Sequence, residues 1–537
     1  MMCRRLSFSH RSTVLAGLVA LLFFAVSASA FPAEVGKEAS LEDRATMYFA
    51  SHDYDGFYDH LSQVIAEDGA GAAAFFYRAL TRLEQIAYWK KTKNWQGVYD
   101  TGPTYQKGIA ADLAKAEKAA GKDDSLRFRI AFLRWRAANE AKSEKAYDIF
   151  NEVVAAAGKA AGSQEGLRTV KEVADEIKDL EDKNLSRRLY EVYARGVTGP
   201  DVPVETVRKS AAAFVDEGNL YLAKTLYETL LERIGKDEER AREMVAIAGR
   251  FAHPGDAEAL DPVYAEELYQ KATGLAGVAV FDLEALYRRA FNLERLKDYE
   301  EALQAYGQWA ESFGAADRVP TAADKARRPE VAFRRAVLSA YGLRDAEKAK
   351  QSFQELIDNF AGDPLVVSAR YHLGLLAQWA GETDKAKEHY TAALAKAKEL
   401  GLAENSEIVG LARARMDELE KEKPMAYGLR LFFEGTFGKD KEKVSSMPLY
   451  VDVTGRLPQS KAGTQVRYAV TTSNPMTGCM MPNYVYEWSN EVGGLSNIPS
   501  AAELVTDYEE PGLKVVFAAV LSNTGLEGAG FDIVQVK

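Results

Sequence analysis

A small residue followed four positions later by an aromatic residue recurs through the middle of this chain at intervals of 37 to 47 residues. Residues four positions apart lie on the same face of an α-helix, so each pair marks a helix with one close-packed face. A period in this range predicts a repeat array, in which helical hairpins stack side by side. The pairs are Ala146/Phe150, Ser186/Tyr190, Ala223/Tyr227, Ala265/Tyr269, Ala302/Tyr306, Ala349/Phe353 and Ala386/Tyr390.

The residues around these pairs also favour helices. From about Leu41 to Lys423 the chain is rich in Ala, Leu, Glu, Lys and Arg, and its apolar residues are spaced by three and four positions. Both properties are typical of amphipathic helices. We therefore predict a helical repeat array over residues 31–423. A helical domain without repeats is the alternative, because small and aromatic residues also meet in ordinary helix contacts.

Three stretches of the array resemble the tetratricopeptide repeat (TPR) family. They are Ala290 to Tyr306 (AFNLERLKDYEEALQAY), Gly218 to Tyr227 (GNLYLAKTLY), and Leu373-Gly374 followed by Gly381 and Ala386 to Tyr390. The resemblance implies a mainly α fold, an α-solenoid of TPR-like helix pairs. The intervals exceed the family's period of about 34 residues, so we expect longer connections, notably around Pro254 to Pro262 and Phe313 to Pro329.

The resemblance also implies a binding surface, because the first helix of each tetratricopeptide repeat lines a concave groove. The positions that correspond to this partner-binding groove are Glu284, Tyr287, Phe291, Arg295, Arg334, Tyr341, Tyr371 and Gln378. Phe291 and Tyr341 are expected to pack between repeats. Arg295, Arg334 and Tyr371 are expected to reach a ligand, because charged and amphipathic tips prefer water. On this view Arg334→Glu would weaken partner capture with little change in thermal stability, and the arginines would suit a peptide with acidic or carboxylate groups.

After Lys423 the pattern changes from helical spacing to alternation of apolar and polar residues, which predicts β-strands. Short strands in about 110 residues are typical of an immunoglobulin-like (Ig-like) β-sandwich, which we predict for residues 424–537. Tyr486-Glu-Trp488 and Tyr508 to Gly512 resemble the polycystic-kidney-disease (PKD-like) type of this sandwich. The predicted strands are Tyr427–Gly435, Leu449–Val453, Val466–Val470, Tyr484–Trp488, Leu513–Val520 and Phe531–Val536, with a seventh near Leu504.

The first thirty residues have the order of a secretory signal peptide. Arg4, Arg5 and Arg11 precede an apolar run from Val14 to Val26, and small residues follow up to Ala30. The run of about 13 residues is too short to cross a ~30 Å hydrocarbon core comfortably. We expect cleavage after Ala30 and export to the periplasm or the cell exterior, with an uncleaved membrane anchor as the alternative.

Cleavage changes the charge and the cysteine count of the mature chain. Loss of three arginines takes the net charge from -11 to -14, and Cys479 remains as the one cysteine, so no internal disulfide can form. An acidic chain of this kind does not suit nucleic acid as a partner. No further apolar stretch approaches 18 residues, so we expect a soluble mature protein that meets membranes only through partners.

Motifs for catalysis, cofactors or metals are not found in the sequence. It has no phosphate-binding loop, no His-Glu-x-x-His and no Cys-x-x-Cys, and no catalytic, cofactor-binding or metal-ligating residues are assigned. His372 and His389 fall in one predicted repeat but lack the further ligands that zinc needs. One cluster of sulfur-containing residues has two possible interpretations, a copper site built from soft ligands or apolar packing of a loop. Its residues are Met476, Cys479, Met480 and Met481.

These inferences favour a non-enzymatic, exported scaffold that binds a protein or peptide partner in the groove of the repeats. The β-sandwich would dock to a partner, to a polymer or to the array itself. The alternative is a cell-envelope carbohydrate-binding or matrix protein that acts through the β-sandwich, with a glycan as partner; exposed aromatic residues on the sandwich would support it.

Overall fold

The computed structural model describes residues 40–67, 71–178, 183–252, 259–315, 318–438, 449–455, 459–473, 484–490, 501–522 and 527–537. These residues divide into two compact units, one that ends at Arg233 and one that begins at Ile234. Each unit is described separately. Within the described residues, no helix has the length and apolar character needed to cross a bilayer.

All the regular secondary structure in the described residues of the first unit is helical. After α1 and α2, consecutive helices pair as the hairpins α3/α4, α5/α6, α7/α8 and α9/α10, and among their first helices α5 contacts both α3 and α7. A π-helical turn, Gly97–Thr101, precedes α4. The helices are α1 Leu41–Ala50, α2 Tyr54–Glu67, α3 Ala72–Lys91, α4 Gly102–Ala119, α5 Asp124–Glu140, α6 Ala146–Ala160, α7 Gln164–Lys178, α8 Lys183–Val197, α9 Val204–Asp216 and α10 Leu220–Arg233.

The second unit contains four further hairpins, two more helices and all the described strands. Its hairpins are α11/α12, α13/α14, α15/α16 and α17/α18. Eight residues connect α14 to α15. The helices are α11 Asp237–Phe251, α12 Pro262–Ala276, α13 Leu283–Arg295, α14 Tyr299–Phe313, α15 Ala322–Val337, α16 Ala346–Asn359, α17 Leu365–Trp379, α18 Thr383–Glu399, α19 Glu407–Glu420 and α20 Tyr427–Phe437.

Every small-and-aromatic pair of the sequence lies on the second helix of a hairpin, from α6 to α18. Six of the seven pairs are buried, and Ala146/Phe150 is half-buried. Gly374 on α17 shows why a small residue is needed opposite one of these aromatic rings: a Cβ added at Gly374 would lie 2.4 Å from Cε1 of Tyr390. The prediction of repeating helix pairs is therefore confirmed, and the aromatic rings fill the space where two helices meet most closely.

Tight turns join the two helices of a hairpin. Gly218, Lys297 and Gly381 adopt left-handed conformations, with φ of 77°, 63° and 76°. In each case the next residue donates its N–H to a carbonyl five positions earlier, as Asp298 does to Leu293 at 3.0 Å. This is the Schellman arrangement that ends a helix, and Asp298 then caps α14 by accepting from the N–H of Glu301. The second helix of the hairpin therefore begins within a few residues of the end of the first.

The strands form two sheets. The first has the order β1-β3-β5 and is antiparallel; the second has the order β2-β7-β6-β4, in which only β2 and β7 run parallel. Both sheets contribute to one core, in which Trp488, Tyr468 and Val516 are buried. The strands are β1 Tyr450–Gly455, β2 Gln459–Ser460, β3 Gln465–Ser473, β4 Tyr484–Asn490, β5 Glu503–Asp507, β6 Gly512–Ser522 and β7 Glu527–Val536. We call these two sheets the β-module.

One predicted strand is wrong: residues 427–435 belong to helix α20. Their alternation of apolar residues favours a strand, but Leu429, Phe432, Phe433 and Thr436 also form a helical stripe, and these four are buried. The stripe packs against β6 and β7. Tertiary contact with the sheet therefore decides between two patterns that coexist in the sequence. The other predicted strands, including that near Leu504, are confirmed.

Candidate functional site

The residues predicted to line a groove lie on the first helices α13, α15 and α17, except Tyr341, which lies in the π-helical turn Leu338–Gly342 directly after α15. We call their shared surface the repeat face. A chain of polar contacts runs along it. Arg334 on α15 pairs with Glu294 of α13 and, through Nε at 2.9 Å, with Glu330. Tyr287 donates to Glu330 at 2.7 Å, and Tyr306 donates to Glu294 at 2.9 Å. These bonds hold two neighbouring hairpins in register.

The expectation that Arg334 reaches solvent is wrong. Its side chain is 0% exposed, and its guanidinium lies over the ring of Phe291 at 5.0 Å. Burial alone would lower the pKa of Arg334, but the carboxylates of Glu294 and Glu330 and the neighbouring tyrosines raise it well above the usual value. Arg334 is a structural cation, so Arg334→Glu is expected to destabilise the protein instead of leaving its stability unchanged.

Arg295 is also buried, because the β-module covers it. Nη1 of Arg295 lies 2.9 Å from both carboxylate oxygens of Asp532 on β7, and Nη2 donates to the carbonyl of Gly455 at 2.7 Å. Lys297 donates to Asp532 at 3.1 Å and to the carbonyl of Val453 at 2.6 Å. Burial would raise the pKa of Asp532, but these two cations lower it below its ordinary value.

An aromatic cluster extends the contact between the repeat face and the β-module. Tyr341 packs edge-on against Phe517 of β6 and Phe531 of β7, with ring centroids 5.0 and 6.0 Å apart, and against Phe432 of α20 at 5.5 Å. Its hydroxyl lies 2.8 Å from Nδ1 of His372. Burial lowers the pKa of His372 to about 3, so this imidazole is neutral at ordinary pH.

Tyr371 is buried too, so the expectation that it reaches a ligand is wrong; it packs on Tyr390 at 5.8 Å. Phe291 is buried beneath Arg334 of the next hairpin, as predicted, whereas Tyr341 contacts the β-module and α20 as well as His372 and so does not pack between repeats alone. Gln378 is half-buried and accepts a hydrogen bond from Tyr390 at 2.8 Å. The β-module therefore docks to the array itself, where it covers Arg295 and, together with α20, packs on Tyr341.

A short part of the repeat face stays open. Glu284, Tyr287 and Phe291 line a cavity of about 320 Å³ together with Arg327 and with residues of β2 and β7. Arg327 lies over the ring of Tyr287 at 4.5 Å and pairs with Glu284. Arg327 is therefore engaged by both Glu284 and Tyr287. The part that stays open is a small polar recess at the end of the covered face.

The first unit has a larger opening, which we call the α7–α9 cleft. It encloses about 930 Å³ between α7, the end of α8 and the start of α9. Arg168, Lys171 and Asp175 lie along one stripe of α7, and Arg195 in the last turn of α8 and Asp201 after that helix also line the cleft. Four glycines also line the cleft: Gly158, Gly162, Gly196 and Gly199. Sequence reasoning missed this site, and glycine at successive hairpin ends is the signal that could have indicated it.

A second opening in the first unit, the aromatic pocket, lies between α1, α3, α5 and α7. Its walls include Phe49, Phe76, Leu80 and Phe132. Glu172 of α7 lines both the aromatic pocket and the α7–α9 cleft, so the two openings adjoin. The aromatic pocket supplies mostly apolar walls, and the adjoining α7–α9 cleft supplies charged ones.

Metal chemistry and glycan stacking find little support among the described residues. No cluster of three or more His, Cys, Asp or Glu side chains that could hold a metal ion occurs in them. In the described strands, Tyr450 is the aromatic side chain that is mostly exposed, at 60%, whereas Trp488 is buried and donates to the carbonyl of Ala501 at 2.7 Å. Outside the described residues lie the predicted signal peptide and the sulfur cluster of Met476, Cys479, Met480 and Met481.

Comparison with known proteins identifies the repeats. A family model described as tetratricopeptide repeat matches residues 284–313 and 330–363, which correspond to α13/α14 and to α15/α16 with the residues that follow. These two stretches of the second unit are therefore similar to tetratricopeptide repeats. No curated protein matches the chain.

Two solved structures are similar to most of the chain at low identity. The TPR domain of P58(IPK) is 14% identical, with 71% of this chain and 98% of that chain covered and a TM-score of 0.21. The apo form of the quorum sensor NprR from B. thuringiensis is 12% identical, with 71% and 96% covered and a TM-score of 0.20.

Proposed function

We propose that this protein is an exported, non-enzymatic scaffold that binds a protein or peptide partner in the α7–α9 cleft of its first unit. Tetratricopeptide repeats are protein-interaction modules, and the match at residues 284–313 and 330–363 supports a scaffold. The signal-like order of residues 1–30 supports export. The β-module, which we take to be of immunoglobulin type, serves to complete the repeat face of the second unit.

One observation carries the proposal: the repeat face already binds a folded protein surface, that of the β-module. The contact combines a buried ion pair between Arg295 and Asp532 with an aromatic cluster around Tyr341. A central buried anchor with apolar surroundings is the usual anatomy of a protein interface. Stacked helical hairpins of this chain can therefore bind a polypeptide. Because the β-module already occupies the repeat face, an external partner binds to other hairpins.

The α7–α9 cleft has the size and chemistry for that partner. Its volume of about 930 Å³ is near the upper end of the range of about 300–1,000 Å³ for ligand-binding clefts. Cations and carboxylates line it together, as in Arg168, Lys171 and Asp175. Lys171 is held by Asp175 at 3.0 Å and by Glu217 at 2.8 Å, so the lining is ordered before a partner arrives. This lining suits the polar backbone and side chains of an extended peptide.

The test uses the purified full chain as bait for cell-envelope proteins, with bound proteins cross-linked and quantified. Arg168→Glu should reduce partner capture at least severalfold, because Arg168 lines the cleft with a side chain that is 70% exposed. Arg187→Glu is the matched control: its side chain is also 70% exposed and pairs with a glutamate four residues later, but it does not line the cleft.

Equal capture by the two variants would contradict the cleft as the binding site. Retention on peptidoglycan or polysaccharide without any protein partner would favour the carbohydrate-binding alternative. Export has a separate test: the mature protein isolated from the envelope fraction should begin at Phe31.

A further inference from the structure

The aromatic pocket contains a carboxylate oxygen without a partner. Oε1 of Glu176 accepts from Arg136 at 3.1 Å, whereas Oε2 is buried and has no hydrogen-bond partner. Burial raises the pKa of Glu176 despite the neighbouring Arg136. A buried acceptor that is left unsatisfied is destabilising, so a ligand that donates a hydrogen bond there would gain binding free energy.

An ammonium group can donate the hydrogen bond that Oε2 of Glu176 lacks. Two guanidinium groups face four carboxylates: Arg136 pairs with Glu84 at 2.9 Å and with Glu176, and Arg129 pairs with Glu172 at 3.3 Å and lies 3.9 Å from Glu42. A third cation, Arg168, lies on the outside, 3.5 Å from Glu172, with 70% of its side chain exposed. Glu42 and Glu172 are likewise 58% and 42% exposed, so the enclosed charges are Arg129 and Arg136 against Glu84 and Glu176, and the two signs balance. The polar atom that an incoming ammonium group would meet is the unpartnered Oε2 of Glu176.

The remaining walls are apolar. Phe49 and Ala45 of α1, Phe76 and Leu80 of α3, and Phe132 of α5 surround an enclosed space of about 50 Å³. At roughly 10–15 Å³ for each water-sized group, this space holds a few heavy atoms, such as the branched end of one aliphatic side chain. Filling it would remove apolar surface of both partners from water.

From this arrangement we infer that the aromatic pocket binds a basic, apolar segment of the partner protein, in which an aliphatic side chain enters the pocket and an adjacent lysine pairs with Glu176. The inference rests on the proposed scaffold function and deepens it. The occupant is a polypeptide because the pocket adjoins the α7–α9 cleft at Glu172, so that a chain anchored in the pocket continues into the cleft.

The test measures fluorescence anisotropy of three fluorescein-labelled eight-residue peptides with the full chain. The peptides differ only at their centre, which is Leu-Lys, Leu-Glu or Ser-Lys. The Leu-Lys peptide should bind at least tenfold more tightly than either of the others. Glu176→Gln should weaken binding of the Leu-Lys peptide about tenfold, because it removes the charge at nearly constant shape.

Two further variants separate the pocket from general effects. Thr46→Phe places a ring at the pocket from the half-buried outer side of α1 and should block the aliphatic side chain even if Glu176→Gln proves unstable. Glu228→Gln removes an exposed carboxylate from α10, outside the pocket, and should leave binding within twofold.

Equal binding of the three peptides, no binding of the Leu-Lys peptide at millimolar concentration, or unchanged binding by Thr46→Phe would overturn the inference. These outcomes differ from failure of the scaffold function. If partner capture depends on Arg168 but not on Thr46 or Glu176, the scaffold proposal stands and the chemistry inferred for the pocket is wrong.

Discussion

Nη1 of Arg295 on α13 lies 2.9 Å from each carboxylate oxygen of Asp532 on β7, and both side chains are at most 4% exposed. The two residues are 237 positions apart in the chain. Their pair, with Lys297 beside it, joins the helical hairpin α13/α14 to the β-module. A buried pair of this kind adds little net stability by itself, but the loss of one partner leaves an uncompensated buried charge.

Asp532→Asn should therefore destabilise the second unit by about 3–5 kcal/mol, because Arg295 and Lys297 would remain buried without a counter-charge. Equilibrium denaturation followed by the fluorescence of the aromatic residues measures the change. Asp507→Asn on the exposed side of β5 is the control, and its effect should stay within about 0.5 kcal/mol. Similar values for the two variants would show that the ion pair does not hold the module.

The neutral, buried His372 predicts a dependence of stability on pH. In the unfolded chain its pKa is about 6.5, whereas in the folded protein it is about 3. The unfolded state therefore binds the proton first as the pH falls, and stability decreases from about pH 6.5 downwards until the folded pKa is reached. Between pH 7 and pH 5 this one group should account for a loss of about 2 kcal/mol.

Denaturation of the His372→Gln variant at both pH values tests this, because the variant should lose less stability than the unchanged protein on going from pH 7 to pH 5. The matched control is His389→Gln on the half-buried side of α18, which should change the pH dependence of stability less than His372→Gln does. An identical slope for His372→Gln and the unchanged protein would contradict the prediction.

Arg334→Glu should destabilise the protein by at least about 3–5 kcal/mol, because it would bury a third carboxylate beside Glu294 and Glu330. The neighbouring Arg335→Glu serves for comparison, since Arg335 is half-buried on the same helix and lines a cavity. Thermal unfolding of both variants distinguishes them. Near-normal stability of Arg334→Glu would restore the sequence-based view of Arg334 as a solvent-facing residue.

Gly374→Ala should destabilise the protein by about 1–3 kcal/mol through overpacking, because the added Cβ would lie 2.4 Å from the ring of Tyr390. Gly410→Ala on α19 is the matched change, since a Cβ there meets nothing within 4 Å. It should stabilise the protein by up to about 1 kcal/mol, as expected for alanine in a helix. Chemical denaturation of the two variants measures the change in the free energy of unfolding and its sign for each. Equal changes in the two variants would contradict the close approach of α17 and α18.

Local patterns in the sequence predicted the helices, the hairpins and most strands. Pairs such as Ala302/Tyr306 identify the second helix of each hairpin because both side chains of a pair lie on one helical face, whatever the rest of the fold does. Alternation likewise identified the strands that contain Val466 and Leu513. Residues 427–435 carry both periods, and only contact with the sheet selects the helix.

The sequence by itself determined that this chain builds stacked helix pairs and, after Lys423, β-strands, because helical and strand periodicities are local properties of the chain. Only the tertiary structure decided which side chains face solvent. Arg295, Arg334 and Tyr371 occupy positions on first helices that would line an open groove, but the β-module and neighbouring repeats bury them. Burial depends on what packs above a residue, and here Asp532, far away in the chain, supplies the partner that makes burial of Arg295 possible.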